Sequence, residues 1–310
     1  MKKKILAAII AVIIVSAIIA YYACPGTVVS LSQAIERGSA GLVQKEAAVM
    51  DHTMVYLDRE NDGEAILLLH GYGGDKDNWT RFVKNIPETY RVVAPDLPGF
   101  GESSRLENKS YDIRSQAERI EAFVSKVGLK RFHIAGNSMG GNLSGYYTYR
   151  YPQRVITLGL FNSSGVDEPV TSQTHREMEK GNNPLVVDNV EDFDRLMEYV
   201  MVEPPFIPGP LKEYFARRAV QNRSFYMGIM KDLRDKPAKL GTVLGKIHKP
   251  TLILWGDSDR IIDKSCVDVF KKGIPNSRAV IMENTGHLPM LEKPEKSAKI
   301  YLDFIDRNSK

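Results

Sequence analysis

Cysteine is nearly absent. Cys24 and Cys266 are the only two in 310 residues, so one bridge is the most the chain could form, and neither a disulfide scaffold nor a thiolate zinc site is available. The six histidines form no HxxxH pair and there is no CxxC, which leaves no expected metal centre. Excess charge of one sign is also scarce. The net charge is +4, and Lys2, Lys3 and Lys4 supply three of those charges, so the rest of the chain has no basic footprint and no nucleic-acid partner is expected. Hydrophobic residues make up 43% and charged residues 26%, which excludes disordered and low-complexity classes. The fold must rest on an apolar core, and the length suits one large α/β domain with an appendage.

The chain does have one long apolar run. Ile5 to Ala23 carries no charge and comes directly after Lys2–Lys4. As a helix it would span roughly 28 Å, close to the hydrocarbon thickness of a bilayer. Tyr21 and Tyr22 suit a membrane–water interface and stand where a cleavable leader needs small residues. Residues 1–24 are therefore expected to be a retained single-pass anchor. A cleaved leader and a lipid on Cys24 are the competing readings. The lysines would keep the N-terminus cytoplasmic and put the rest of the chain across the membrane, which is the periplasm if the source is bacterial. Residues 25–44 read as a juxtamembrane helix or a linker.

Beyond that point short apolar runs alternate with amphipathic segments. Ala65–Leu69, Arg91–Ala94, Phe132–Ala135, Val155–Phe161, Thr251–Trp255 and Ala279–Met282 fit strands buried on both faces. Ser115–Val127, Met139–Tyr151, Lys264–Lys272 and Pro294–Ile305 read as helices, and residues 46–58 as an opening hairpin. This alternation implies an α/β fold with a mostly parallel sheet and helices on both faces. From about 162 to 248 no buried strand is expected. Val190–Met201 and Leu211–Met230 read as helices of an insertion, joined by a proline-rich connector, Glu203 to Pro210. The connector could line a tunnel, dip into an interface or pack as ordinary core.

The chemistry concentrates in three places. Gly136-Asn-Ser-Met-Gly140 follows an apolar strand and precedes a helix, the context in which G-x-S-x-G exposes a nucleophilic serine on a tight turn. Ser138 is the candidate nucleophile. Its base and orienting acid are expected later in the chain, in the order acid then histidine. Asp257 and Asp259 both follow the strand ending in Trp255. Asp259 is preferred, because Asp257 sits at once after Gly256 and reads as a turn residue. His287, in Glu283-Asn-Thr-Gly-His287, is the candidate base. His70 and His133 lie against strands and read as supporting or core residues, while His52, His175 and His248 have no motif context. Two N–H donors are needed for an oxyanion. These are assigned to Met139 and to Tyr72, in the glycine-rich loop His70-Gly-Tyr-Gly-Gly74, and Gly71, Tyr72 and Met139 are expected to meet substrate. Asp96 reads as a structural acceptor of loop N–H bonds.

With HGYGG, DLPGFGESS, GNSMGG, WGDSD and GHLPMLEKP in this order, residues 45–308 resemble the α/β-hydrolase fold superfamily. The closer similarity is to monoacylglycerol lipases with an N-terminal membrane helix and to membrane-bound bacterial lipases and phospholipases A. The resemblance implies a core at 45–161 and 249–310, a helical lid at 162–248, Ser138, Asp259 and His287 as a triad, Tyr72 and Met139 as oxyanion donors, and no cofactor. It also implies a serine ester hydrolase acting on acylglycerols or membrane lipids. The expected anchor makes the bilayer a partner, and the anchor region could mediate a homodimer. Two other readings share the scaffold: a carbon–carbon bond hydrolase of ring-cleavage products, and a non-catalytic sensor of hydrophobic ligands.

Overall fold

The computed structural model describes residues 2, 4–6, 9 and 21–308. Eight strands, β1 (Val43–Val49), β2 (His52–Arg59), β3 (Ala65–Leu69), β4 (Arg91–Pro95), β5 (Phe132–Asn137), β6 (Val155–Phe161), β7 (Thr251–Gly256) and β8 (Ser277–Met282), form one sheet in the order β1-β2-β4-β3-β5-β6-β7-β8. The β1–β2 hairpin and the β2–β4 pair are antiparallel; every other pairing is parallel. The alternating run at 46–58 is thus the hairpin, begun three residues earlier, inside the segment expected as linker.

Helices cover both faces, and the strand sequences show why. Leu67 and Leu69 of β3 join a core with Ile120, Phe123 and Leu143, whereas Ile66 and Leu68 join another with Trp79, Phe82 and Tyr301. Successive side chains point to opposite faces, so an unbroken apolar run is what a strand between two helical layers requires. The first layer holds α3 (Ile113–Lys126) and α4 (Met139–Arg150); the second holds α2 (Thr80–Val83) and α8 (Pro294–Ile305). Asp112 starts α3 by accepting from the N–H groups of Arg114 and Ser115, two residues before apolar periodicity alone would place it. β8 departs from the expected two-sided burial. It is the sheet edge, and Arg278 and Ile281 are exposed.

Between β6 and β7 the described residues form no strand. They form α5 (Gln173–Glu179), α6 (Val190–Val200) and α7 (Gly209–Asp235). Phe193 and Phe215 stack 6.0 Å apart where α6 meets α7. The segments expected as helices at Val190–Met201 and Leu211–Met230 are α6 and α7, and α5 was unanticipated.

Ile5–Ala23 lies largely outside the described residues, and no helix among those described is long and apolar enough to cross a membrane. The next residues, Pro25–Ser39, form a helix, α1, which a loose linker would not. A Cβ at Gly26 would stand 2.9 Å from the Tyr214 ring, so α1 packs tightly on the start of α7. Arg37 pairs with Asp77 at 2.6 Å and Glu36 with Arg81 at 2.8 Å, which clamp the other end of α1 to the core.

Candidate active site

Ser138 sits between β5 and α4 at φ +56° and ψ −119°, a conformation an L-residue holds only under constraint. The constraint is visible in its neighbours. A Cβ on Gly136 would lie 2.1 Å from the Gly140 carbonyl oxygen, and one on Gly140 2.4 Å from the carbonyl oxygens of Leu69 and His70. Only glycine lets α4 approach β3 and β5 this closely. The Ser138 N–H donates to the Phe161 carbonyl at 3.0 Å, and its carbonyl accepts from Asn142 and Ser164 at 3.1 Å each. The helix start behind the serine favours negative charge.

The acid and the base meet at the C-terminal ends of β7 and β8. His287 Nδ1 and Asp259 Oδ2 are 2.8 Å apart, and both residues are buried. Asp259 Oδ1 accepts from the N–H groups of Ile261 at 2.8 Å and Ile262 at 3.1 Å. With the carboxylate fixed in this way, Nδ1 is the protonated nitrogen and Nε2 is left as the basic one. Asp257 instead accepts from Ser258 Oγ and the Thr285 N–H, which is turn work.

Ser138, His287, Gly71 and Tyr72 all line one cavity of about 390 Å³. Among the described residues no hydrogen bond joins Ser138 Oγ to His287; such bonds commonly close only when substrate is bound. Gly71 packs directly on the elbow, since a Cβ there would be 3.1 Å from that of Ser138. The Met139 side chain is buried in the core and is not among the cavity-lining residues, and its N–H, the group expected to act, has no intrahelical partner at the first position of α4.

The Tyr72 loop is braced by a histidine. His70 Nδ1 donates to the Gly71 carbonyl at 2.7 Å, and Nε2 accepts from the Leu97 N–H at 2.9 Å. That pair of bonds requires a neutral ring. Burial lowers the affinity of His70 for a proton, as it does for His133 and His52. A group whose folded pKa lies below its unfolded value costs nothing above about pH 6.5 and destabilises as pH falls through and below it. The denaturant midpoint is therefore expected to drop between pH 7 and pH 5. His70→Gln is expected to flatten that slope; an unchanged slope would count against the assignment.

Three supporting residues carry no sequence signal. Asn137 Nδ2 donates to the His287 carbonyl at 2.9 Å, tying the elbow to the histidine loop. Asn162, at φ +44°, donates to Asp259 Oδ2 at 2.7 Å. Glu292 accepts the Gly286 N–H at 2.9 Å. The insertion reaches the site as well, because the His287 N–H donates to the Val200 carbonyl at 2.8 Å, at the end of α6. A Cβ at Gly286 would be 2.7 Å from that same carbonyl, which accounts for the glycine before His287.

A family model described as alpha/beta hydrolase fold matches residues 64–198 and 212–294. The chain belongs to the α/β-hydrolase fold family. It is 36% identical over 254 residues to Lipase 1 of Psychrobacter immobilis, covering 81% of this chain and 80% of that one. It is 30% identical over 283 residues to a monoacylglycerol lipase of Mus musculus, covering 87% and 84%. The crystal structure of a membrane phospholipase A superposes with a TM-score of 0.91 at 41% identity, covering 99% of each chain. Within this hydrolase family the expected fold is thus correct.

Proposed function

We propose that the protein is a membrane-bound serine hydrolase that cleaves fatty-acyl esters of glycerolipids through Ser138, His287 and Asp259. That it is an ester hydrolase follows from its relatives, named as lipases, monoacylglycerol lipases and a phospholipase A. One observation carries the assignment of residues. The 2.8 Å His287–Asp259 pair and the strained Ser138 come from three separate loops, and His287 and Ser138 open on the same cavity. His287 Nε2 takes the serine proton as Oγ attacks the ester carbonyl. The N–H groups of Met139 and Tyr72 receive the oxyanion. His287 returns the proton to the leaving alcohol, then activates the water that releases the fatty acid. Asp259 fixes the tautomer and stabilises the imidazolium. The cavity walls also include Val187, Phe193, Leu196, Met197 and Phe215, all from the 162–248 insertion, which on this reading is the lid over an acyl pocket.

The direct test is a fluorophosphonate probe with peptide mapping, alongside turnover of monoacylglycerols and lysophospholipids. Labelling at Ser138 together with release of fatty acid is expected. Absence of both would return the protein to a non-catalytic role.

On the same reading Ile5–Ala23 crosses the bilayer with Lys2–Lys4 on the cytoplasmic side, and the catalytic domain lies opposite, periplasmic in a bacterium. The connector supports it. Phe206 is 90% exposed between prolines, eight residues before Tyr214, which packs on Gly26 at the start of α1. An aromatic ring held in solvent on the connector that leads into the end of α7 packed on α1 suits the lipid interface. Phe206→Ser is expected to slow hydrolysis of lipid in vesicles several-fold and to leave turnover of a soluble p-nitrophenyl ester unchanged. Equal rates on both would detach Phe206 from the membrane.

A further inference from the structure

The cavity holds a cation whose role the reaction leaves open. Phe215, Arg218, Ala219, Asn222 and Tyr226 of α7 line it, at the spacing that puts them on one helix face. Among the described residues Arg218 is in no ion pair and its side chain donates no hydrogen bond. Its guanidinium carbon lies 5.8 Å from the centre of the Tyr214 ring, and the side chain is partly buried. The other arginine on this wall, Arg223, is exposed and paired with Asp188. The acid on the cavity lining, Asp75, accepts from the Asp77 N–H of its own loop at 3.0 Å and is in no ion pair with Arg218; burial and the nearby Asp96 charge push its carboxyl up. A guanidinium in a largely apolar cavity that no carboxylate pairs is an incomplete pair.

The placement along α7 says which part of a lipid it would meet. Tyr226 packs on Tyr72 of the proposed oxyanion loop, ring centres 6.0 Å apart. Arg218 is eight residues nearer the helix start, roughly 12 Å along the axis, and on the side where α7 packs on α1. The carboxyl under attack sits at the Ser138 end with its own N–H donors. The anion for Arg218 is therefore a different one, carried by the leaving alcohol and separated from the ester by the glycerol backbone. A lipid held in a bilayer presents such an anion as its headgroup phosphate, which matches a guanidinium in charge and geometry.

We propose that Arg218 is the subsite for the phosphate of a phospholipid or lysophospholipid headgroup, and that it sets preference for these over neutral acylglycerols. This rests on the lipid ester hydrolase reading above. The test uses the full-length protein in detergent micelles, with palmitoyl lysophosphatidylglycerol and 1-palmitoylglycerol as paired substrates. Arg218→Gln is expected to raise KM for the lysophospholipid about ten-fold or more, as loss of a charge-assisted contact does, with kcat within about two-fold. Both constants for palmitoylglycerol stay as they were, and Arg218→Lys recovers much of the lost affinity. Equal losses on the two substrates would make Arg218 a residue that shapes the cavity, and no loss would make it a bystander; either overturns the proposal. Wild-type protein that cleaves palmitoylglycerol but not the lysophospholipid also overturns it and leaves the hydrolase reading standing. Cleavage of neither removes the hydrolase reading itself.

Discussion

Ser138→Ala is expected to lower kcat on acyl esters by about 10⁴-fold or more, with KM little changed and the fold intact. The size of the loss reflects what the variant keeps. It retains the cavity, the N–H groups of Met139 and Tyr72, and the His287–Asp259 pair, so it still binds an ester and can still stabilise an oxyanion. What it lacks is an alkoxide to form the acyl-enzyme, and no other serine or threonine is among the described residues lining the cavity. Stability is not expected to fall, because alanine at 138 inherits the positive φ of the serine and no side-chain hydrogen bond of Ser138 is lost among those described. Ser138→Gly sharpens the test. Glycine tolerates φ +56° freely, so that variant should be equally inactive yet more stable than the alanine variant by about 1 kcal/mol. Single-turnover assays with an ester that releases a chromophore would measure the first effect and thermal unfolding the second. A Ser138→Ala protein that retains more than a few per cent of activity would mean that the nucleophile lies elsewhere.

How much of this site could be read from the sequence depended on the kind of interaction involved. Ser138 was legible because a nucleophile elbow needs glycines at fixed positions around it, and the clashes at Gly136 and Gly140 are the physical origin of that spacing. Asp259 and His287 stood out as candidates because each follows a strand of a parallel sheet, at the end where loops converge. Asn162 and Asn137 were not, since they act on groups 97 and 150 residues away along the chain. Glu292 is only six residues from Gly286, but it acts through a loop whose path the sequence does not specify. The docking of α1 was hidden for a similar reason. Its periodicity is mild, and its attachment rests on a glycine contact at one end and ion pairs at the other. At Met139 only the N–H was expected to act, and its side chain faces the core.

Asp96→Ala is expected to cost about 3–5 kcal/mol of stability, the usual effect of removing one partner from a buried ion pair, and to lower the unfolding temperature by roughly 10 °C. Asp96 is fully buried. It accepts from the Lys76 N–H at 2.7 Å, the Lys76 ammonium at 2.8 Å and the Glu102 N–H at 2.8 Å. Without it two N–H groups lose their acceptor, and a buried ammonium keeps only the more exposed Glu102 at 3.3 Å and Asp77 at 3.9 Å. A Cβ at Gly101 would stand 2.2 Å from the Asp96 carboxyl carbon, so the chain wraps the acid too closely for water to replace it without movement. The loss should reach the chemistry, because Asp96 joins the loop carrying Tyr72 to the loop after β4, which His70 joins again through Leu97. Loosening that brace moves the Tyr72 N–H, a donor expected to matter in the transition state more than in the ground state, so kcat should fall with little change in KM. Lys76→Met in the Asp96→Ala background separates the two contributions. With the stranded cation gone, part of the stability should return, and the double variant should be less destabilised than the sum of the singles. If the losses simply add, Lys76 and Asp96 do not act as a pair, and the hold of Asp96 on this loop rests on its N–H bonds alone.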